Sequence, residues 1–336
     1  MPVAKPLIIT MGDPTGVGPE IIVKALLAGS FDGLSHPPVV AGDPRVLQQA
    51  AAIFNRQAQI RAASGLADQE ICIGERTLAV KTLSHFDPLP VPGRAPEASH
   101  GRAMAEYIEW ACARCRDGSA VGMVTAPISK AAIRAAGYDF PGHTELLAKR
   151  CGVERVVMML AGARLRVALV TTHLPLRSVP QALSQQEIFS TLRITDSDLT
   201  RYFGLKAPRL AVTALNPHAG EGCLFGDEEQ RLIEPAIREA QAAGIDARGP
   251  FSADTLFHFA VQGRYDAVVC MYHDQALIPL KLLHFDDGVN VTLGLPIVRT
   301  SVDHGTAHDI AGTGTASADS LVAAVQMAAR MADEGS

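Results

Sequence analysis

A chain of 336 residues, 48% hydrophobic and 19% charged, has the material for roughly two domains with separate cores and carries no signature of disorder. Its net charge of −5 lacks the basic excess of a general nucleic-acid binder, so an anionic ligand has to be held locally. The opening "MPVAKPLIITMGDP" is too short in its apolar stretch for a signal peptide, and no later run approaches the roughly 20 residues that span a bilayer, so a cytoplasmic location without membrane or nucleic-acid partners is expected.

Apolar strand candidates alternate with amphipathic helical stretches along the chain. "PLIIT" precedes "PEIIVKALLA", "PPVVAG" precedes "PRVLQQAAAIF", and "AVGMVTAP" precedes "ISKAAIRAAG". "LRVALVTTH" then leads to "QQEIFSTLRITDSDLTRYF", and "RLAVTALNPH" to "EEQRLIEPAIREAQAAG". Such alternation predicts an α/β protein with a largely parallel sheet covered by helices on both faces. Residues 55–100, richer in short strands and Pro/Gly turns, suit an antiparallel excursion. Of the six cysteines only Cys112 and Cys115 are close in sequence, on a helical-looking segment without a second pair, so free thiols are expected rather than a zinc site.

Three apolar runs end in histidine: "LRVALVTTH" at His173, "RLAVTALNPH" at His218 and "DAVVCMYH" at His273. The intervals between them leave room for a helix and a return, so parallel strands would bring the three imidazoles to one carboxyl edge, where open α/β sheets bind ligands. Three imidazoles with an open fourth position are a ligand set for zinc or a similar divalent ion; separate roles in separate loops are the alternative. Lys281, Asn290 and Arg299 follow, of the types that recognise phosphate or carboxylate, although taken singly each is more readily a solvated surface group. In "FPGHTELLAKR", His143 and Thr144 stand just ahead of a helix, with Thr144 a natural N-cap and the helix start a place for an anion. The glycine-rich "GDPTGVGPE" has neither the P-loop lysine nor a complete GxGxxG, and is a weak phosphate signal. The loop "SVDHGTAHDIAGTG" has His304 and Asp309 among glycines that allow close approach to a ligand, Asp309 suiting a ribose hydroxyl; an ordinary surface turn is the alternative.

Taken in order, "GDPTGVGPE", "TAPISK", "PGHTE", "TTHLPLR", "NPHAGEG", "YHDQALIPLK", "GVNVTLGLP" and "RTSVDHGTAHDIAG" resemble the 4-hydroxythreonine-4-phosphate dehydrogenases, the PdxA family of vitamin B6 biosynthesis, over nearly the whole chain. The resemblance implies a homodimer of two-domain α/β/α subunits, similar in fold to isocitrate and isopropylmalate dehydrogenases, with a cleft active site near the dimer interface. It implies a first, discontinuous domain of residues 1–130 plus 300–336 and a second of residues 131–299. By matching motif, His173, His218 and His273 look like ligands of a divalent metal (zinc, magnesium or cobalt) shared between subunits, and His143, Thr144, Lys281, Asn290 and Arg299 look like the groups that hold a small phosphorylated substrate. His304, Gly305, Thr306, Ala307 and Asp309 resemble a nucleotide loop for NAD, with NADP as the alternative, and Asp254 and Asp274 are the candidate catalytic carboxylates.

The implied reaction is oxidation of 4-phosphohydroxy-L-threonine at its C3 hydroxyl to a 3-keto acid, which decarboxylates to 3-amino-2-oxopropyl phosphate. A paralogous dehydrogenase of D-threonate or D-erythronate 4-phosphate is the rival, and a metal-dependent hydrolase or a non-catalytic metabolite sensor the readings from other classes. Two departures from the family pattern, Ala276 in "YHDQAL" and Cys223 in "GEGCLFG", stand where glycine is usual and suggest a narrower site.

Overall fold

A computed structural model describes residues 4–140 and 142–335. The chain divides into two compact units, one formed by residues up to Glu154 with Leu295–Asp333, the other by Arg155–Gly294 with the last residues from Glu334. In chain order the first unit contains β1 (Leu7–Thr10), α1 (Gly18–Leu27), β2 (Pro38–Gly42), α2 (Pro44–Ile53), β3 (Gln59–Ala62), β4 (Gln69–Ile73), β5 (Arg76–Thr82), α3 (Ala98–Arg116), β6 (Gly122–Thr125), α4 (Lys130–Ala135) and α5 (His143–Cys151). The second unit follows with β7 (Val157–Ala161), β8 (Arg166–Leu169), α6 (Val179–Ala182), α7 (Gln185–Phe203), β9 (Leu210–Thr213), α8 (Glu234–Ala242), β10 (Ala247–Phe251), α9 (Ala253–Ala260), β11 (Ala267–Cys270), α10 (His273–Leu283) and β12 (Val289–Leu293). The chain then returns to the first unit with β13 (Val298–Ser301) and α11 (Asp319–Glu334).

In the first unit the strand order is β13-β6-β1-β2-β5-β4-β3. The five strands from β13 to β5 are parallel, whereas β3, β4 and β5 pair antiparallel, which is the expected excursion within residues 55–100. In the second unit the order is β10-β9-β11-β8-β7-β12, parallel from β10 to β8 and antiparallel beyond. Central strands such as β1, β9 and β11 are buried at every position, because helices on both faces leave no side of the strand to water.

Local chemistry sets the helix bounds. Asp43 accepts from the Arg45 amide at 2.9 Å ahead of Pro44, and Ser184 accepts from the Glu187 amide at 3.1 Å to open α7, which Gly204 closes in the left-handed conformation at φ 66°. The single helix expected over 228–244 instead starts as a π-turn at Glu229–Ile233, where Pro235 has no N–H to give the Arg231 carbonyl.

The first unit runs on to Glu154 and resumes at Leu295, where the expectation placed its edges at 130 and 300. Residues 131–154 stay there because α4 and α5 pack on α3: Met104 clusters with Ala132 and Ile133, and Arg150 Nε donates to Glu109 at 2.8 Å. Gly101 lets α3 lie against the Ala132 carbonyl, where any Cβ would collide. All six cysteines are free thiols, and no helix among the described residues is long and apolar enough to cross a membrane.

Candidate functional site

In the second unit, β9, β11 and β8 are adjacent and parallel, so their carboxyl ends leave the sheet at one edge. The three histidines do not end the strands, as their apolar runs suggested. β8 stops at Leu169, β9 at Thr213 and β11 at Cys270; His173 and His218 lie in the loops beyond, and His273 is the first residue of α10. The His173 and His273 rings have centroids 5.5 Å apart, and His273 Nδ1 is 2.8 Å from Asp274 Oδ1. His218 lies in a short 3₁₀ turn with left-handed backbone at φ 52°, its ring 6.3 Å from Phe225. Among the described residues no group of three or more His, Cys, Asp or Glu side chains is close enough to hold a metal within one chain. The donor chemistry of the paired imidazoles still suits a divalent ion: a carboxylate on Nδ1 fixes the ring and leaves Nε2 as the nitrogen that would meet the ion.

The other expected groups of this unit lie on its framework. Lys281 is on α10 with its Nζ 5.4 Å from the Phe285 ring centroid, and Asn290 is in β12 opposite Leu160. Asp254 is in the first turn of α9 and accepts from Ser252 Oγ at 2.6 Å, while Asp274 is the partner of His273. The loop of His218 is held from behind by buried Glu229, which accepts from the Leu215 and Asn216 amides at 2.9 and 2.8 Å. Ala276 does not face the ligand groups: its methyl is buried with Leu256, Val268 and Leu280 in the core, so it narrows nothing. Cys223 is exposed and has φ 73°, a conformation glycine adopts without strain, which accounts for the glycine usual there.

In the first unit, His143 and Arg299 share one electrostatic environment. Arg299 on β13 is almost fully buried and donates from Nη2 to Thr125 Oγ1 at 2.7 Å; burial pulls its guanidinium down to about 10, so it remains a cation near neutrality. His143 is held well below its usual value by burial first and then by the charges of Arg299 and Lys130, and its Nε2 is sealed from solvent with no hydrogen-bond partner among the described residues, although the residue as a whole is half-buried. Thr144 is not the cap of α5: Gly142 occupies that position in extended backbone, His143 and Thr144 are the first helical residues, and no side chain among the described residues caps the helix. The cap position falls at Gly142, two residues ahead of Thr144, so Thr144 cannot serve. Thr125 and Lys130, at the two ends of "TAPISK", carry no local signal of this role in the sequence.

The loop from His304 to Asp309 is fastened to the β1–α1 turn. Val17 donates its amide to the Thr306 carbonyl at 3.0 Å, Gly312 donates to Glu20 Oε2 at 2.8 Å, and Lys24 Nζ donates to the Ala316 carbonyl at 2.7 Å. His308 Nε2 is 3.0 Å from Oδ2 of fully buried Asp13. A Cβ on Gly16 would stand 2.8 Å from the Thr306 carbonyl oxygen, so that glycine is required by close approach of the loop. "GDPTGVGPE" thus serves as the grip for this loop, which explains why it lacks a phosphate-binding spacing. His304 Nδ1 is 3.0 Å from the Gly305 carbonyl oxygen, Ala307 has left-handed backbone at φ 45°, and Gly305 and Asp309 are exposed. Asp13 and His308 lie in "GDPTGVGPE" and "RTSVDHGTAHDIAG", where no local pattern marks them as partners.

A sheet-edge α/β enzyme, with candidate ligand groups on the loops that follow parallel strands, is the class that this fold and these groups define. A family model described as "Pyridoxal phosphate biosynthetic protein PdxA" matches residues 34–328, and the chain belongs to that family. It is 55% identical to the 4-hydroxythreonine-4-phosphate dehydrogenase of Geobacter metallireducens, over 99% of this chain and 97% of that one. With the enzyme of the same name from Desulfosudis oleivorans the identity is 52%, over 96% and 95%. The crystal structure of 4-hydroxythreonine-4-phosphate dehydrogenase from Klebsiella pneumoniae superposes with a TM-score of 0.86 at 39% identity, covering 98% of this chain and all of that one.

Proposed function

We propose that this protein is a 4-hydroxythreonine-4-phosphate dehydrogenase. It would oxidise the C3 hydroxyl of 4-phosphohydroxy-L-threonine, passing hydride to NAD and the hydroxyl proton to a base, and yield a 3-keto acid that loses carbon dioxide to give 3-amino-2-oxopropyl phosphate. The observation that carries this reading is the 55% identity to a relative of that name over almost the full length of both chains.

The chain's own residues supply suitable chemistry. Arg299, with Lys130 and the uncapped start of α5 nearby, offers fixed positive charge and backbone donors to a phosphate, and His143 in its neutral form offers a ring N–H. Lys281 and Asn290, in the second unit, are of the types that meet an anionic or hydroxylated substrate. Phosphate held away from the reacting carbon lets its binding energy orient that carbon toward the nicotinamide. His173, His218 and His273 would hold a zinc, magnesium or cobalt ion, whose chemistry when bound is Lewis-acid polarisation of the substrate hydroxyl. With Asp274 engaged by His273, we assign Asp274 to orienting that ring and Asp254 to accepting the proton. The loop from His304 to Asp309 is assigned to NAD, Asp309 accepting from a ribose hydroxyl.

A homodimer with a metal site shared between its subunits fits two features of the second unit. One chain joins only two of the three imidazoles, and large apolar side chains stand exposed beside them: Leu176 beyond His173, and Leu282 and Phe285 at the end of the His273 helix, 69, 84 and 74% exposed.

The test is NADH formation by the purified, metal-supplemented protein. Turnover of 4-phosphohydroxy-L-threonine in preference to D-threonate or D-erythronate 4-phosphate supports the reading. Preference for either sugar-acid phosphate would assign the chain to the catabolic paralogues, and no NADH from any of them would overturn a dehydrogenase.

A further inference from the structure

We infer that Gln275 is a positioning residue that sets the three histidine loops relative to one another through a single buried amide. The inference rests on the reading of His173, His218 and His273 as metal ligands.

Backbone pairing carries the β8 and β11 exits only as far as Thr171 and Met271, with Val170 N donating to the Cys270 carbonyl at 2.9 Å and Thr171 N to the Met271 carbonyl at 3.3 Å, and β8, β9 and β11 all end three to five residues before their histidines. Gln275 takes over where the ladder stops. Gln275 is buried, with only 8% of its surface exposed. Oε1 accepts from the Met271 amide at 2.8 Å and from Thr213 Oγ1 at 2.7 Å, and Nε2 donates to the Ala214 carbonyl at 2.6 Å. Met271 is two residues before His273, while Thr213 and Ala214 are where the chain departs for His218. The third exit joins through Met271, whose carbonyl accepts from Thr171 Oγ1 at 2.6 Å, two residues before His173.

Only glutamine fits this set of partners. Glutamate would lose the donor and set a carboxylate against the Ala214 carbonyl, and asparagine is one methylene too short to reach both strands from α10. The three bonds lie in a low-dielectric interior, where each misplaced partner is costly, so the exits of β9 and β11 have one discrete arrangement. Outer-shell groups of this kind typically change metal affinity by 10–100-fold when removed.

The experiment measures Co²⁺ binding to metal-stripped full-length protein, by calorimetry and by the d–d absorption of the bound ion. The proteins compared are the wild type, Gln275→Met, Thr213→Val and Thr195→Val. Thr195 lies in α7, where its buried hydroxyl donates to the Thr191 carbonyl at 2.7 Å, and its variant removes a buried hydrogen bond remote from the loops. Gln275→Met is expected to lose roughly 10- to 100-fold in Co²⁺ affinity with an altered d–d band, and Thr213→Val a smaller part of it. Thr195→Val should melt lower yet bind Co²⁺ like the wild type. Wild-type affinity and spectrum in a folded Gln275→Met protein would overturn the inference, as would an equal loss in Thr195→Val. Should Gln275→Met not fold, unchanged binding by Thr213→Val overturns it. A wild type that binds no Co²⁺ removes the metal reading itself, and the inference falls with it by a separate route.

Discussion

At the start of α5, three cations or potential cations crowd one another, and His143 is the one that yields its proton. Its folded value lies well below the ordinary 6.5, because burial, then Arg299, then Lys130 all disfavour a second charge. Between that folded value and 6.5 the unfolded chain binds one more proton than the folded one. Stability therefore rises with pH through this window and falls as pH drops below 6.5, at up to about 1.4 kcal/mol per pH unit for one proton. His143→Gln should flatten the urea-midpoint profile between pH 6.5 and 5; a profile as steep as the wild type's would show that another group is responsible. Arg299 and Lys130 make a second expectation at this scale. Arg299→Ala and Lys130→Met should each raise the KM for the phosphorylated substrate roughly tenfold or more, the loss of a charge-assisted hydrogen bond, and leave the KM for NAD unchanged. An unchanged substrate KM in both would exclude phosphate binding at this helix start.

At the scale of elements, the β1–α1 turn and the loop that follows β13 act as one piece. Their join consists of the Val17–Thr306, Glu20–Gly312 and Asp13–His308 contacts, with Gly16 pressed against the Thr306 carbonyl. Gly16→Ala should push the loop outward and raise the KM for NAD several-fold, with little change in the KM for the phosphorylated substrate. Asp13→Asn should do the same more weakly, since an amide still pairs with the His308 ring. Steady-state kinetics with each substrate varied separately would check both, and a rise confined to the phosphorylated substrate would detach this loop from the cofactor. Gly101→Ala tests packing alone. A methyl directed at the Ala132 carbonyl should separate α3 from α4 at a cost of about 1–3 kcal/mol, read as a lowered melting temperature.

For the whole molecule, the expectation concerns association. Leu282 is 84% exposed on the helix that starts at His273, an unfavourable arrangement for a monomer in water. Leu282→Glu should yield a monomer in sedimentation and, with the metal site left incomplete, lose both bound metal and turnover while keeping its fold by circular dichroism. A dimeric, active Leu282→Glu protein would rule out this face as the interface.

Much of this was legible in order along the chain. Strand-helix alternation, the positions of α2 and α7, and the short antiparallel excursion follow from hydrophobic period and from capping residues such as Asp43 and Ser184, all of which act within a few residues. The residue types able to meet a metal or an anion were legible too, because His, Lys and Arg carry their chemistry wherever the chain takes them. What one dimension does not contain is strand order. That β9, β11 and β8 are neighbours, that His143 lies under the charge of Arg299 some 150 residues away, and that α4 belongs with α3 all depend on which apolar faces bury one another. The same holds for Gln275, Asp13 and His308. As letters they are ordinary polar residues, and only the tertiary structure, by excluding water and bringing distant backbone to their side chains, decides what they hold in place.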